Sequence, residues 1–116
     1  MKHPMAWIAL PALIAAQATA AQTAAEPDPA RQARLVRMVR QDCGSCHGLQ
    51  LTGGLGPALT RDTMAPLPLD SLAATIYHGR PGTPMPGWKS LVSEADARWI
   101  ARRLQAGFPL ESEAAR

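Results

Sequence analysis

The chain has 116 residues, a formal net charge of +3 and 18% charged residues, so it is nearly neutral for its length. That length predicts one small domain, and so weak a charge excludes a typical nucleic-acid-binding protein. Aromatic residues make up only 4% of the sequence. Because a small domain buries a low fraction of its surface, we expect a metal, a disulfide or another insert to complete the interior.

The first segment, residues 1–20, has the pattern of a secretory signal peptide. A basic start at Lys2 precedes an apolar run over 6–16, and small residues follow at 18–20. The apolar run is too short to cross about 30 Å of hydrocarbon. We therefore expect a cleaved leader and a periplasmic protein with no membrane anchor. Residues 21–28, rich in Ala, Pro and acidic side chains, are predicted to be flexible.

The next segment is predicted to be an amphipathic helix that runs from Pro29 to about Asp42. Asp28 has the residue type of an N-cap, and proline suits the first helical position. Leu35 and Val39 share one apolar stripe. Four arginines lie on the opposite half of the helix, and we expect a solvated face or, alternatively, a surface that steers an acidic partner: Arg31, Arg34, Arg37 and Arg40.

Glycine and proline dominate residues 48–68, which predicts a loop. A short helix is expected from Leu69 or Asp70 to His78, with Asp70 or Ser71 as its cap and a glycine after it. Residues 79–88 form another loop rich in Gly and Pro.

A last helix is predicted from a cap at Ser93 to a stop at Gly107. Trp99 points off its apolar face, and the sequence does not indicate what covers it. No period-two alternation predicts a β-strand. The sequence thus predicts an all-α domain of three main helices over 29–107, followed by a tail at 108–116.

Both cysteines of the chain lie in Cys43-Gly44-Ser45-Cys46-His47. A structural zinc site needs four ligands, and there is no second C-x-x-C to supply them. A redox disulfide of the thioredoxin kind needs a βαβ setting, which is absent from the pattern, although an exported protein could oxidise the pair. C-x-x-C-H is the signature of c-type haem attachment. Each thiol adds to one haem vinyl group, and the adjacent imidazole of His47 reaches the iron. One covalent haem c would also complete the interior.

A second iron ligand is expected from Met85, because Pro84 and Pro86 restrict the backbone around it. A thioether opposite an imidazole raises the reduction potential and leaves no open site for small ligands. That ligand pair predicts an electron carrier and not an enzyme.

Three other side chains could compete with Met85 for this position. Met64 lies in a loop and stays an alternative. His78, at a helix end, would give a bis-histidine site, although an exposed or capping histidine is the commoner case. Met38 lies too near the attachment motif to reach the other face of the haem.

The surroundings of the haem can also be predicted in part. A haem-ligating histidine usually donates its free N–H to a carbonyl. Pro57 follows His47 in a Gly-rich loop that could fold back beneath the ring, so its carbonyl is the expected partner. Arg80 and Trp88 flank the methionine loop. Either residue could contact the haem propionates, or it could be an ordinary surface or core residue.

With CGSCH, GPAL and GTPMPGW in place, residues from about 30 to 107 resemble a class I cytochrome c. The resemblance implies that family's fold, with crossing terminal helices and a methionine loop that closes the haem pocket. It implies thioethers at Cys43 and Cys46 and iron ligands at His47 and Met85. The aromatic residue that many members carry on the first helix is replaced here by aliphatic residues.

A narrower resemblance comes from QDCGSCHGLQLTGGLGPALT and TIYHGRPGTPMPGW. These stretches are similar to the small c-55x-type cytochromes that are encoded beside the cytochrome cd-type nitrite reductase of denitrifying bacteria. The resemblance implies a periplasmic carrier that donates electrons to nitrite reductase, and we expect this carrier to be a monomer. The alternative is a maturation or assembly factor for the special haem of that enzyme.

Overall fold

The computed structural model describes residues 26–109, and the helices begin and end largely where local signals place them. Helix α1 spans Pro29–Met38, with Asp28 as its N-cap: the carboxylate accepts a 2.9 Å hydrogen bond from the Arg31 amide. The predicted signal peptide at 1–20 and the residues beyond 109 lie outside the described part.

The sequence predicted that the first helix ends near Asp42, but the structure shows that it continues. One π-helical turn, Val39–Cys43, continues α1 and leads directly into α2, Gly44–His47. The continuous helix ends only at Gly48, whose φ of 89° is favourable for glycine. No breaker stands before that glycine, and Gly44 keeps helical dihedrals. The attachment motif therefore lies on a helix and not in a loop.

The remaining helices are α3 (Arg61–Met64), α4 (Leu69–His78) and α5 (Glu94–Ala106). The one-turn helix α3 was not predicted, because a single turn is too short to produce a periodic pattern. Helix α4 begins at Leu69, as one of the two predicted starts, but Pro68 precedes it and no side chain caps it, so the predicted cap was wrong. No β-strand occurs between residues 26 and 109.

Both glycine stops and the cap of α5 agree with the prediction. Gly79 and Gly107, at φ 77° and 93°, end α4 and α5. Ser93 and Asp96 form a capping box, in which the serine hydroxyl accepts from the Asp96 amide and the carboxylate accepts from the Ser93 amide, each at 3.0 Å.

The core gathers aliphatic residues from all parts of the described chain. Leu35 and Val39 are 0% exposed, so aliphatic side chains fill the first helix's contact surface without an aromatic. Helix α5 packs along α4 and also contacts α3. Trp99 is 2% exposed and belongs to this core, while the Arg103 guanidinium lies 5.2 Å from its ring centroid.

The arginine face of the first helix, which continues from α1 into the π-helical turn, is not uniformly solvated. Arg31 forms a salt bridge of 2.6 Å with Asp96 and donates to the Leu91 carbonyl at 2.8 Å. Arg40 donates to the carbonyls of Phe108 and Pro109 at 3.2 and 2.9 Å. These two arginines bind the first helix to the start and end of the α5 region, whereas the other two are exposed.

Within residues 26–109, no helix combines the length and apolar character that a membrane crossing requires.

Candidate functional site

The attachment motif is exposed at one thiol and buried at the imidazole. Cys43 lies at the end of the π-helical turn and is partly buried, and Cys46 on α2 is exposed; both are free thiols. His47 ends α2 and is 8% exposed. Because one helical stretch carries all three groups, their relative positions are fixed by local backbone geometry. The described residues contain no group of three or more His, Cys, Asp and Glu suited to hold a metal ion.

The carbonyl of Pro57 lies 2.7 Å from His47 Nδ1, which is the contact that the sequence predicted. A carbonyl can only accept a hydrogen bond, so Nδ1 must carry the proton. The neutral imidazole then has its free lone pair on Nε2, the form that binds a metal. A hydrogen bond of this kind also orients the ring and strengthens it as a ligand.

The loop that carries Pro57 is closed on the attachment helix by backbone hydrogen bonds. The Gly53 amide donates to the His47 carbonyl and the Gly56 amide to the Cys46 carbonyl, both at 2.8 Å. Gly56 lies directly against the imidazole: a Cβ there would be 2.7 Å from Cε1 and 2.8 Å from Nδ1 of His47. Only a residue without a side chain allows the loop this close to the ring.

Leu51 is a residue of this loop whose role sequence reasoning missed. Its φ of 58° is left-handed, which costs a residue other than glycine about 1–2 kcal/mol. It is 3% exposed, and its carbonyl accepts from the Leu59 amide at 2.8 Å. Burial of the Leu51 side chain offsets the cost of its unfavourable φ. No pattern in the sequence indicates a left-handed leucine at this position.

The two thiols differ in their surroundings. Burial, followed by the nearby Asp42 carboxylate, raises the pKa of the Cys43 thiol to about 11. A thiol with so high a pKa is protonated at neutral pH, which disfavours a reactive thiolate. Cys46 faces solvent.

The methionine loop, residues 79–88, is tied at its neck to α4. The Trp88 amide donates to the Ile76 carbonyl at 3.0 Å, and the Lys89 amide donates to the Tyr77 carbonyl at 3.2 Å. Gly79 and Gly87 permit this contact, because a Cβ on either would come within 2.6–2.7 Å of backbone atoms across the neck. Met85 lies partly buried in the loop.

The alternative ligands differ in their settings. Met64 is 5% exposed and packs in the hydrophobic core. Met38 lies partly buried at the end of α1, one residue before the π-helical turn. His78 is exposed at the end of α4, and its ring makes an edge contact with Tyr77 at 4.8 Å between centroids.

Trp88 holds a buried indole N–H without a hydrogen-bond acceptor among the described residues. An indole nitrogen can only donate, and a buried donor left unpaired costs about 1–3 kcal/mol. A cofactor that brings carboxylates would supply the missing acceptor. This donor, the two thiols and the oriented imidazole are together compatible with haem, which carries vinyl groups, iron and propionates.

A protein-family profile described as "Cytochrome C oxidase, cbb3-type, subunit III" matches residues 30–102. A curated relative, "Cytochrome c55X" of Stutzerimonas stutzeri, is 58% identical over 86 residues, which are 74% of this chain and 76% of that protein. The chain belongs to the cytochrome c55X family. Membership of this c-type cytochrome family implies haem c as the cofactor.

Solved structures agree with the family. The "c-type cytochrome NirC" is similar with a TM-score of 0.68 and 56% identity, over 69% of this chain and 94% of that one. The class I cytochrome c fold expected from the sequence is therefore confirmed for this c55X-family chain.

A longer protein also contains a region similar to this chain. "Dihydro-heme d1 dehydrogenase" of Pseudomonas aeruginosa is 33% identical over 76 residues, 66% of this chain but 15% of that protein. A solved structure titled "Dihydro-heme d1 dehydrogenase NirN in complex with DHE" is similar with a TM-score of 0.57 and 32% identity, over 64% of this chain and 16% of that one.

Proposed function

We propose that this protein carries single electrons through one haem c bound by thioethers to Cys43 and Cys46. Haem iron supplies the redox chemistry, because it takes up and releases one electron between its ferric and ferrous states. The observation that carries the proposal is the 2.7 Å contact of His47 Nδ1 with the Pro57 carbonyl. It leaves Nε2 as the only lone pair available to iron, on a buried ring beside both thiols.

We assign the second axial position to Met85. Its loop is held at the neck by α4, and flanking prolines limit its backbone freedom, so the thioether loses little entropy on binding. Met64 already packs in the core, which supports Met85 over that alternative. If His47 and Met85 both bind the iron, they would favour its reduced state and would leave no open position for small ligands. An electron carrier fits this ligand pair better than an enzyme.

Trp88 is proposed to bind the haem through one propionate. Its buried indole N–H has no acceptor of its own, and a propionate is a strong acceptor. The Trp88 amide is anchored to α4, which would hold the backbone of this residue in place. Of the two flanking residues named from the sequence, Trp88 thus gains support, whereas exposed Arg80 keeps both interpretations.

The proposed setting is the periplasm, reached with the predicted leader at 1–20, and the proposed partner is the dissimilatory nitrite reductase. This step depends on the resemblance to small cytochromes encoded beside that enzyme and on relatives named cytochrome c55X. The protein is expected to act as a monomer that receives and passes on one electron at a time.

A second candidate, a role in maturing the special haem of nitrite reductase, is favoured by one observation. A region similar to this chain is part of a protein named for the dehydrogenation of dihydro-haem d1. A cytochrome joined to such an enzyme is well placed to accept its electrons. The free cytochrome would then serve haem synthesis and not the main electron supply.

Spectroscopy of protein exported by a host that attaches haem tests the cofactor and its ligands. Pyridine haemochrome analysis should give one haem per chain, and the oxidised protein should be low-spin with the weak far-red band of a thioether–iron bond. Replacement of Met85 by alanine should remove that band. A colourless product in which iodoacetamide modifies both cysteines would refute haem attachment.

Kinetics and genetics distinguish the two roles. Reduced protein mixed with nitrite reductase in a stopped-flow instrument should be oxidised fast enough to support turnover. Slow oxidation, together with loss of the special haem in a deletion strain that keeps other electron donors, would favour the maturation role.

A further inference from the structure

The methionine loop contains one side chain that bonds to the backbone of the ligand residue itself. The hydroxyl of Thr83 donates to the Arg80 carbonyl at 2.7 Å and accepts from the Met85 amide at 3.3 Å. A hydroxyl has one proton and two lone pairs, so it can make both bonds at once. Thr83 therefore links the two ends of the segment Arg80–Met85.

Prolines make this link more important than it would be elsewhere. Pro84 and Pro86 have no amide proton, so Met85 supplies the only backbone donor of residues 84–86. Within the described residues, the Thr83 hydroxyl is the acceptor for that donor. The Met85 carbonyl in turn accepts from the Arg80 amide at 3.2 Å. Both polar backbone groups of Met85 are thus held by the loop itself.

The rest of the loop lacks comparable restraints. The Thr83 amide also donates to the Arg80 carbonyl, at 3.1 Å, and the remaining ties lie at the neck, where the chain meets α4. Gly82 has a φ of 76°, and a Cβ on it would meet no atom within 4 Å, so this position of the loop has open space beside it.

From these contacts we propose that Thr83 is a positioning residue for Met85. This inference rests on the proposed function, in which Met85 is the second axial ligand. A loop fixed before it meets the iron loses less conformational entropy when the thioether binds, and the closed state is favoured accordingly. Loss of the hydroxyl would raise the fraction of molecules in which the sixth position is open.

Imidazole binding to the oxidised, haem-loaded protein measures that open fraction, because an external ligand binds only the open form and its apparent affinity scales with it. Thr83→Val removes the hydroxyl and keeps the branched shape. We expect imidazole to bind this variant about fivefold more tightly than the wild type, the effect of one weak exposed hydrogen bond or two. Thr83→Ser, which keeps the hydroxyl, should stay within about twofold.

Two comparisons separate positioning from general stability. Thr63→Val removes a hydroxyl that pairs with Thr60 at 3.0 Å on α3, so imidazole should bind it as it binds the wild type. Urea unfolding of each variant gives the global stability, and a merely structural role would lower that stability without changing imidazole affinity. If Thr83→Val does not fold, Thr83→Ala provides the same comparison.

The results distinguish failure of this inference from failure of the ligand assignment. A wild type without the thioether–iron band would refute Met85 as ligand. A wild type with the band, and Thr83→Val with unchanged imidazole affinity, would refute the role of Thr83 alone. An altered pH dependence of the reduction potential with unchanged imidazole affinity would mean that the hydroxyl serves a haem carboxylate, and would overturn the proposal as well.

Discussion

Replacement of Gly56 by alanine tests the contact that orients the imidazole. The new Cβ would lie 2.7 Å from Cε1, 2.8 Å from Nδ1 and 3.2 Å from Nε2 of His47. The ring cannot move away freely, because it is 8% exposed and bonded to the Pro57 carbonyl. Forcing a methyl group into a packed site costs about 1–3 kcal/mol, and a weakened hydrogen bond adds about 1 kcal/mol. We expect the free energy of unfolding to fall by about 3 kcal/mol.

The assay is urea unfolding of the haem-loaded protein, followed by far-ultraviolet circular dichroism, together with a redox titration. A displaced ring donates less strongly to iron, so the ferric state loses stabilisation and the reduction potential should rise. A change of 1 kcal/mol corresponds to about 40 mV for one electron. The expected rise is therefore of the order of 40 mV.

Gly44→Ala is a matched control within the attachment motif. A Cβ there would be 3.5 Å from its nearest neighbour, Leu49 Cα, which is an ordinary contact. Alanine is also a better helix former than glycine, by about 1 kcal/mol, so this variant should be at least as stable as the wild type. If Gly56→Ala matched the control in both stability and potential, the close approach of the loop to His47 would not position the ring.

Three further predictions follow from other parts of the structure. Arg31→Met should lower the free energy of unfolding by about 2 kcal/mol near pH 7, since it leaves a buried carboxylate unpaired, whereas Arg98→Met, which breaks an exposed bridge, should cost under about 1 kcal/mol. Burial alone would raise the pKa of Asp96, but hydrogen bonds from the Arg31 guanidinium and the Ser93 amide lower that pKa on balance. The stabilisation from the ionised carboxylate is therefore present above pH ~4 and is lost as the pH falls through the lowered pKa. Urea titrations in which the stability difference between wild type and Arg31→Met did not narrow below pH ~4 would contradict this. Gly79→Ala combines a φ of 77° with backbone atoms within 2.7 Å of the new Cβ, so it should weaken the thioether–iron band. Gly107→Ala has a φ of 93° but no atom within 4 Å of its Cβ, so it should leave the band unchanged. Equal spectra for the two variants would refute the role of the neck in holding the methionine loop. Replacing both cysteines by alanine should yield a haem-free chain with reduced helicity and no cooperative unfolding transition, because the small core lacks its insert, and a sharp transition would show that the polypeptide core suffices.

The arginine face illustrates the limit of pattern-based reasoning. Helical spacing places Arg31, Arg34, Arg37 and Arg40 on one half of the first helix, and nothing in the sequence distinguishes them. The structure divides them: the first and last bind carboxylate and carbonyl groups from the region of α5, while the middle two remain exposed. Their partners are at least sixty residues away in the sequence, so no local pattern could identify them.

Local signals predicted most of the helix ends. Asp28 and Ser93 cap their helices through hydrogen bonds within the next few residues, and Gly79 and Gly107 end theirs through their own dihedrals. Such effects are contained in a few neighbouring residues. The sequence did not predict that the first helix continues to His47, because the helix end was expected near Asp42, before Gly48, the glycine that ends it.

The candidate site was predictable to a similar extent. The C-x-x-C-H motif indicates the cofactor because its chemistry needs those groups at that spacing, and the partner carbonyl of His47 was anticipated from the need of a ligating imidazole for an acceptor. Gly56 and Thr83 were not identified, since Gly56 is distinguished by an approach of 2.7 Å to the His47 ring and Thr83 by a hydrogen bond from the Met85 amide. Neither has a characteristic spacing.

The sequence by itself determined the C-x-x-C-H motif and the local turns, because thiols, imidazole, caps and breakers act over a few bonds. The tertiary structure alone decided that Trp99 is covered, that Arg31 and Arg40 join the ends of the domain, and that Leu51 accepts an unfavourable dihedral. These outcomes depend on which distant surfaces meet when the chain folds. Free energy gained in such contacts is shared between segments far apart in sequence, and no single segment encodes it.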